Sequence, residues 1–261
     1  MPTLKQLAVE SLSHMVESGQ RRLAVDDDAR AILREWMLAS RGGAKAEVPP
    51  AAAVEMSVEQ KLDLLRSRAV DWKAARRLGT LRETMVFAVG NPHARLMLVG
   101  EAPGYEEERQ GEPFVGPAGQ LLTRILGAMG LQRSDVYISN VCKFRPAMGG
   151  NQGTANRPPS AEELAACLPL IMAEIRAIQP ACIVCLGGSS AKGLLGTQQG
   201  VNALRGQWLE CQGVPVRVTY HPSYLLRNES LSVRRALWED MLAVMERLGM
   251  PISEKQQNYF R

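Results

Sequence analysis

Short apolar runs alternate with segments of helical periodicity along the chain from Leu96 onward. The apolar runs are LMLVG, VYISNV, CIVCLG and VPVRVTYH, and each has the length of a strand. Between them, apolar residues three and four apart predict helices over 116–129, 160–178 and 233–248, and a short helix from 189. Strands that are apolar throughout are typical of a sheet covered on both faces. The pattern predicts a three-layer α/β/α domain around a short, mostly parallel four-stranded sheet.

The preceding part of the chain has a different pattern. Apolar spacing in LKQLAVESLSHMVESG and DDDARAILREWMLAS predicts a helical N-terminal extension over 1–40. The stretch RGGAKAEVPPAAAVEMS lacks periodicity and predicts a linker over 41–57. The main domain is expected over 58–261, beginning with a helix in VEQKLDLLRSRAVDWKAARRL. Two roles of the extension stay open, stabilisation of this domain and binding of an unknown protein.

Composition limits the classes of protein that need considering. The 261 residues are 46% hydrophobic and 22% charged, which is enough for a full globular core. No run is long enough to span a membrane and no signal peptide is recognised, so we expect a cytoplasmic monomer without a membrane partner. The net charge of +4 permits nucleic acid as a partner without requiring it. Disulfides among the five cysteines are improbable in that compartment.

Candidate functional residues follow the predicted strands, because ligands of such sheets bind beyond the carboxyl ends of the strands. Gly100 and Gly104 flank Pro103 after the first strand, where the backbone is able to turn tightly and approach a ligand. Phe114 is an aromatic residue in a polar loop, suited to stacking on a planar ring. His221 follows the last strand and is able to donate a hydrogen bond or carry a proton near neutral pH.

Three segments together carry a resemblance to a known family. LMLVGEAPGYEEERQGEPFVGPAGQLL, VYISNVCKFRP and TYHPSYLLRN, in this order and at these separations, resemble the uracil-DNA glycosylase superfamily, and most closely its family 4. The resemblance covers about residues 70–248. It implies hydrolysis of the N-glycosidic bond of deoxyuridine in DNA after the nucleotide is flipped into a pocket. Uracil-containing DNA is then the expected partner.

The resemblance also implies a role for individual residues. Phe114 would stack on uracil, and the Asn140 amide would hydrogen-bond its edge. His221 would stabilise the negative charge on the departing base, and Glu101 would position or activate the attacking water. Ala102 stands where other branches of the superfamily have an aspartate. The backbone of the same segment would complete the substrate pocket, at Gly100, Ala102, Pro103 and Gly104.

The segment after His221 resembles the part of these enzymes that enters DNA. Leu225 or Leu226 would wedge into the base stack, and Ser223, Arg227 and Asn228 would hold phosphates. Other basic side chains near the predicted loop ends are candidates for phosphate contacts or for ordinary surface charge: Lys143, Arg145 and Arg157.

Family 4 members usually bind an iron-sulfur cluster through four cysteines, and this chain departs from that pattern. Lys73, Arg76 and Phe144 stand at three of the four ligand positions, and only Cys167 matches. Cys182 and Cys185 lie three apart in a predicted strand and should face opposite sides of the sheet. We therefore expect no cofactor, with packing in place of the cluster. A site rebuilt with the two remaining cysteines stays the alternative: Cys142 and Cys211.

A second departure is the long segment RPAMGGNQGTANRPPS, which is expected either to contact DNA or to narrow the pocket. A related branch captures its product through a histidine in this loop, but no histidine occurs between His93 and His221. Uracil excision from DNA is therefore the first hypothesis. Two others stay open, excision of hypoxanthine or xanthine and DNA binding without catalysis.

Overall fold

A computed structural model describes residues 56–228 and 230–261, which fall in one compact unit. The helical extension predicted at 1–40 and the linker up to residue 55 lie outside the described residues. Within the described ranges, no helix is both long and apolar enough to cross a membrane.

Helices and strands alternate through most of the described chain. The helices are α1 (Val58–Ala69), α2 (Lys73–Arg76), α3 (Tyr105–Gln110), α4 (Pro117–Met129), α5 (Ala161–Ile178), α6 (Gly188–Leu195), α7 (Val201–Leu204), α8 (Pro222–Arg227), α9 (Leu231–Arg247) and α10 (Glu254–Gln257). The strands are β1 (Leu81–Met85), β2 (Ala88–Gly90), β3 (Leu96–Gly100), β4 (Tyr137–Asn140), β5 (Phe144–Pro146), β6 (Cys182–Leu186), β7 (Trp208–Cys211) and β8 (Val214–Thr219).

The main sheet has the strand order β2-β4-β3-β6-β8-β7. Its four central strands are the four apolar runs predicted from the sequence, and they pair in parallel. The predicted fold class is confirmed. The sheet is larger than predicted, because β2 and β7 pair antiparallel at its two edges. Both edge strands are short and only partly buried, so they lack the continuous apolar pattern that marks the central strands.

Alternate residues of the central strands supply two separate cores, which makes the domain three-layered. Met97 and Val99 face the core under α1, α5 and α6, whereas Leu96 and Leu98 face the core under α4 and α9. Cys185 belongs to the first core and Cys182 to the second, as their spacing predicts.

A separate two-stranded sheet, β1 and β5, lies beside the main sheet and was missed by the sequence pattern. Its antiparallel pairing places Leu81 opposite Pro146 and Met85 opposite Phe144. The helix predicted from 58 also breaks after Ala69, and in the break the Trp72 indole donates a hydrogen bond to the Ala166 carbonyl of α5 at 2.7 Å. Both features tie the segment before β3 to the main domain.

Candidate active site

A pocket of about 460 Å³ lies at the carboxyl ends of β3, β4 and β8. It brings together most of the residues named from the sequence: Glu101, Ala102, Pro103, Gly104, Phe114, Asn140, His221, Ser223 and Arg227. It also contains residues that sequence reasoning did not assign to it: Glu107, Ala118, Asn156, Arg157 and Pro158. Residues from four separate segments of the chain therefore converge at the edge of the sheet where ligands bind.

Asn140 is the last residue of β4 and pairs with Gly100 at the end of β3. Its side chain is almost fully buried, and its Oδ1 has no hydrogen-bond partner among the described residues. A Cβ on Gly100 would lie 2.3 Å from that oxygen and 2.5 Å from the Phe114 ring. Only glycine at 100 therefore leaves room for both side chains. Because a buried amide oxygen without a partner is costly, it marks a position where a ligand donates a hydrogen bond.

Phe114 occupies the left-handed region of backbone conformation, with φ of 58°. The Arg133 guanidinium holds this turn by donating to the Phe114 carbonyl at 3.0 Å. The Phe114 ring is buried and lies 5.7 Å from the His221 ring, at an interplanar angle of 30°. The ring is thus fixed by its backbone and its neighbours before any ligand binds.

Glu107 organises the loop that carries Phe114. One carboxylate oxygen accepts hydrogen bonds from the Val115 and Gly116 amides, at 3.0 and 2.9 Å, and the other accepts from the Gly104 amide at 3.1 Å. The Gly104 amide is therefore engaged by Glu107, although Gly104 itself lines the pocket as expected. A glutamate three residues after a helix cap was the available sequence signal.

His221 is fixed as one tautomer by its neighbour. The Ser223 amide donates to His221 Nδ1 at 3.1 Å, and the Ser223 hydroxyl lies 2.8 Å from the same nitrogen. Since Nδ1 accepts, the proton of a neutral ring resides on Nε2. Burial lowers the pKa of His221 below its ordinary 6.5, and Arg227 lowers it further, while Glu101 and Glu107 oppose the shift. The ring is therefore a neutral hydrogen-bond donor at neutral pH.

Glu101 follows β3 directly and lines the pocket beside His221. Its backbone carbonyl accepts from the Cys142 amide at 2.9 Å, which fixes the main chain. Within the described part of the chain, no hydrogen bond engages its carboxylate. That carboxylate is available to orient a water molecule.

The segment after His221 was expected to be a loop, and it forms the helix α8 instead. Leu225 is buried, so of the two leucines only Leu226, 44% exposed, presents its side chain to a partner. Arg227 lines the pocket mouth. The Asn228 side chain donates to the Tyr224 hydroxyl at 3.2 Å and accepts from the Ser230 amide at 3.1 Å, and its expected phosphate contact stays a prediction.

Lys143 does not contact DNA phosphates, contrary to one interpretation of the sequence. It is fully buried in an ion pair with Glu174, and its ammonium donates to the Asn140 carbonyl at 2.9 Å and to the Ser139 hydroxyl at 2.6 Å. Tyr137 and Ser139 donate to the same Glu174 carboxylate at 3.1 and 2.7 Å. This network lies directly behind the backbone of Asn140.

Arg145 is also buried and is likewise removed from the list of phosphate contacts. It bonds Glu108, the Asn156 side chain and the Gly153 and Ala155 carbonyls at 2.6–3.0 Å. These bonds fix the long loop before α5 against the pocket. Three residues of this loop line the pocket, Asn156, Arg157 and Pro158, and its expected contact with DNA stays a prediction.

The positions where the related family binds its cluster hold a different arrangement. The Arg76 guanidinium lies 4.6 Å from the centre of the Phe144 ring, a cation–π distance. It also donates to the Val70 and Glu83 carbonyls at 2.8 and 2.7 Å, and to the Arg82 carbonyl at 3.3 Å. We call this contact the Arg76–Phe144 staple. An arginine and a phenylalanine offer no thiolate, so these positions do not fit a four-cysteine cluster.

The cysteines themselves are buried and lie apart in three groups. Cys142 and Cys167 pack with Phe144, and their mutual hydrogen bond raises the pKa of Cys142, as burial does, and lowers the pKa of Cys167. Burial raises the pKa of Cys182 to about 11. Across the described residues, no three side chains of histidine, cysteine, aspartate or glutamate are grouped so that they would hold a metal ion. Of these five cysteines, only Cys167 stands at a position where the family binds its cluster.

The fold and this pocket define a class, and comparison with known proteins agrees with it. A family model described as the uracil DNA glycosylase superfamily matches residues 87–242. The chain therefore belongs to the uracil DNA glycosylase superfamily, as its motifs predicted. The predicted enzyme class, a hydrolase acting on N-glycosidic bonds, is confirmed with it.

Within the superfamily, the chain is similar to type-4 uracil-DNA glycosylases. It is 43% identical to that of Thermotoga maritima over 164 residues, which cover 61% of this chain and 81% of the relative. Identity to the Archaeoglobus fulgidus enzyme is 37% over 180 residues, covering 66% and 84%. Identity to the Pyrobaculum aerophilum enzyme is 39% over 158 residues, covering 58% and 77%.

Proposed function

We propose that this protein hydrolyses the N-glycosidic bond of deoxyuridine in DNA, releasing uracil and leaving an abasic site. The observation that carries the proposal is the unpaired amide oxygen of Asn140, buried beside the Phe114 ring and His221. Uracil presents an N–H donor next to a carbonyl acceptor on one edge, and an amide side chain matches both. The type-4 relatives named above are uracil-DNA glycosylases, in agreement with this substrate.

In the proposed reaction, the bond between the sugar C1′ and the base N1 breaks, and its electron pair moves onto the uracil ring. The negative charge collects on the ring carbonyl, where the neutral Nε2–H of His221 donates a hydrogen bond. Water adds to C1′ as the sugar acquires positive charge, with the Glu101 carboxylate orienting it and stabilising that charge. The water loses one proton to solvent as its oxygen bonds to C1′, and the departing uracil anion takes up one proton from solvent, so the products are neutral uracil and the abasic sugar with its new hydroxyl.

The nucleotide reaches the pocket by rotating out of the DNA stack. Arg227 at the pocket mouth is placed to contact the backbone phosphates of that nucleotide. The exposed Leu226 on α8 is placed to fill the space that the base leaves behind. Ser223 acts through His221, because both its amide and its hydroxyl lie against Nδ1.

A base-release assay with His221→Ala tests this function. With a single uracil in an oligonucleotide, the wild type should release uracil, and the variant should lose about 100- to 1000-fold in kcat. DNA affinity, measured by fluorescence anisotropy, should stay nearly unchanged because His221 contributes little area. His93→Ala is the matched control, since His93 lies outside the pocket and pairs with Glu59. Equal losses of affinity and rate would contradict the role given to His221.

The two other functions lead to different results in the same assay. Release of hypoxanthine or xanthine, with uracil left in place, would show that the pocket selects a different base. Binding without release of any base would favour the non-catalytic hypothesis. Either result would overturn the proposal.

We also propose that the protein works without an iron-sulfur cluster, with the Arg76–Phe144 staple in place of the metal. Support comes from the lysine, arginine and phenylalanine at three ligand positions. Protein purified without oxygen should carry less than stoichiometric iron and show no visible cluster absorption, and its activity should survive chelators. Stoichiometric iron and sulfide would refute this. The cytoplasmic location, the monomeric state and a partner for the N-terminal extension stay predictions.

A further inference from the structure

An apolar groove of about 520 Å³ shares the helix α8 with the active pocket. Ser223 and Arg227 of this helix line the active pocket, whereas Leu225 and Leu226 line the groove. The other walls of the groove are α4, α9 and the C-terminal segment after α10. The groove is therefore next to the part of the protein that the proposed function assigns to DNA entry.

The C-terminal segment is held firmly as a wall of this groove. The Arg235 guanidinium donates to the Gln257 and Tyr259 carbonyls at 2.8 and 2.9 Å, and the Trp238 indole donates to the Gln256 carbonyl at 2.6 Å. The Gln256 amide reaches across to the Ala128 carbonyl of α4 at 2.9 Å. These bonds join the segment to both neighbouring helices.

An aromatic row leads from the core to the surface along this wall. The rings of Trp238 and Tyr259 are 5.2 Å apart, and those of Tyr259 and Phe260 are 6.2 Å apart. Trp238 is buried, whereas Phe260 is 43% exposed. A segment that served only stability would gain more by burying that ring. The exposed ring at the end of a fixed row is suited to stacking on a planar partner.

The charge of the lining indicates what kind of partner fits. Arg124 and Arg234 line the groove together with apolar and aromatic side chains, and no acidic residue is among them. Neither arginine forms an ion pair with another described residue. Aromatic surfaces beside unpaired arginines are the combination by which proteins bind single-stranded nucleic acid, with bases on the rings and phosphates on the cations.

We propose that this groove is a second DNA-binding site, which takes an unpaired nucleobase from the same strand as the uracil. The proposal depends on the proposed function, because it places the uracil in the active pocket. A strand that leaves the pocket on the side of α8 passes this helix, whose six residues span about 9 Å, the rise of two or three stacked nucleotides. The base stacks on Phe260, and Arg124 and Arg234 contact its flanking phosphates.

Steady-state kinetics with Phe260→Ala and Arg124→Ala test the groove. The substrates are single-stranded oligonucleotides that share a short core with one uracil. One is extended beyond the core on the 5′ side only, one on the 3′ side only, and one is the core alone. Each variant should raise KM about 5- to 10-fold for one of the extended substrates. The value of kcat, and KM for the unextended substrate, should equal those of the wild type. Leu64→Ala and Arg68→Ala are the matched controls, because both side chains are exposed on α1 and neither lines the groove.

Photocrosslinking tests, independently of catalysis, whether an unpaired base next to the uracil lies in the groove. Oligonucleotides would carry a non-hydrolysable 2′-fluorodeoxyuridine and a 5-iodocytosine at successive positions on either side of it. We expect one position to crosslink to Tyr259 or Phe260. Unchanged KM for every substrate, or crosslinks only elsewhere, would overturn the proposal even if uracil is released.

Failure of the proposed function is a different result. If the wild type releases no uracil from any substrate, the function is wrong, and the crosslink still decides whether the groove holds DNA. Self-association of the wild type that Phe260→Ala abolishes, with no change in KM, would assign the groove to a second copy of the chain and overturn the proposal.

Discussion

Gly100, Phe114 and Asn140 depend on one another at the bottom of the pocket. Because Gly100 has no side chain, the Phe114 ring and the Asn140 amide are both able to lie against its backbone. The sequence indicated each of these residues separately. Their mutual contact follows from the parallel pairing of β3 and β4, which places Gly100 opposite Asn140.

Gly100→Ala should therefore reduce activity strongly. The new Cβ would displace the Asn140 amide or the Phe114 ring, at a cost of about 1–3 kcal/mol. We expect kcat/KM for uracil release to fall about 10- to 100-fold. Gly127→Ala in α4 is the control, since a Cβ there meets no atom within 4 Å and should leave activity intact. Equal activity of the two variants would show that the contact at Gly100 is unimportant.

The protonation of His221 should control activity at acid pH. Because burial lowers its pKa below 6.5, the donating neutral form persists as the pH falls through 6.5, and activity should decline only below that value. Arg227 lowers the same pKa through its charge. Arg227→Ala should therefore move the acid limb of the kcat/KM profile to higher pH, whereas Arg227→Lys should leave it in place. A limb that moves equally in both variants would exclude the electrostatic explanation.

The same group links stability to pH. Since the folded pKa of His221 lies below the unfolded one, the unfolded chain binds the proton first as the pH falls. The contribution of His221 to the free energy of unfolding is therefore retained above pH 6.5. It decreases between 6.5 and the folded pKa.

At the scale of elements, the end of β4 is joined to α5 by the buried ion pair of Lys143 and Glu174. Lys143→Met should destabilise the protein by about 3–5 kcal/mol, because it leaves the Glu174 carboxylate buried without its cation. The double variant Lys143→Met with Glu174→Gln should lose less than the sum of the two single variants, Lys143→Met and Glu174→Gln, and a denaturant titration of all three variants would measure this. Additive losses in this cycle would contradict the pairing.

The four central strands could be predicted because burial on both faces requires continuous apolar runs, as in LMLVG and CIVCLG. The short strand β5 could not be predicted. Its sequence, FRP, contains an arginine and a proline, and three residues are too few to show the alternation of apolar and polar residues that marks a strand. The burial of Lys143 could not be predicted from the sequence either. Lysine is seldom fully buried, and its partner Glu174 lies far along the chain, on α5.

For the whole molecule, the sequence predicted where the site lies better than it predicted the hydrogen bonds that hold the site's loops in place. The rule that ligands bind at the carboxyl ends of parallel strands pointed to the segment after β3 and to His221, and the family resemblance added Glu101 and Asn140; all of them line the same pocket. It gave no account of Glu107, whose bonds to three backbone amides depend on how two loops fold together. Hydrogen bonds from a side chain to backbone amides eight and nine residues away leave no periodic signal in a sequence.

The Arg76–Phe144 staple joins the segment before β3 to the main domain, so its removal should affect the stability of the whole molecule. Arg76→Ala loses a cation–π contact and hydrogen bonds to three carbonyls, which we expect to cost about 2 kcal/mol. The midpoint of thermal unfolding should fall by about 4–8 °C. Arg77→Ala, an exposed neighbour, is the control and should leave it unchanged. Identical midpoints for both variants would exclude a structural role for the staple.

The staple also has a consequence for how a cell could produce and maintain this protein. A domain held by an arginine and a phenylalanine is complete once its polypeptide has folded, whereas a cluster must be delivered by dedicated assembly proteins. On the cluster-free proposal, the supply of active protein would therefore not fall when iron is scarce. Oxidants that destroy exposed clusters would find no such target at this position, so repair would continue under the conditions in which DNA is most heavily damaged.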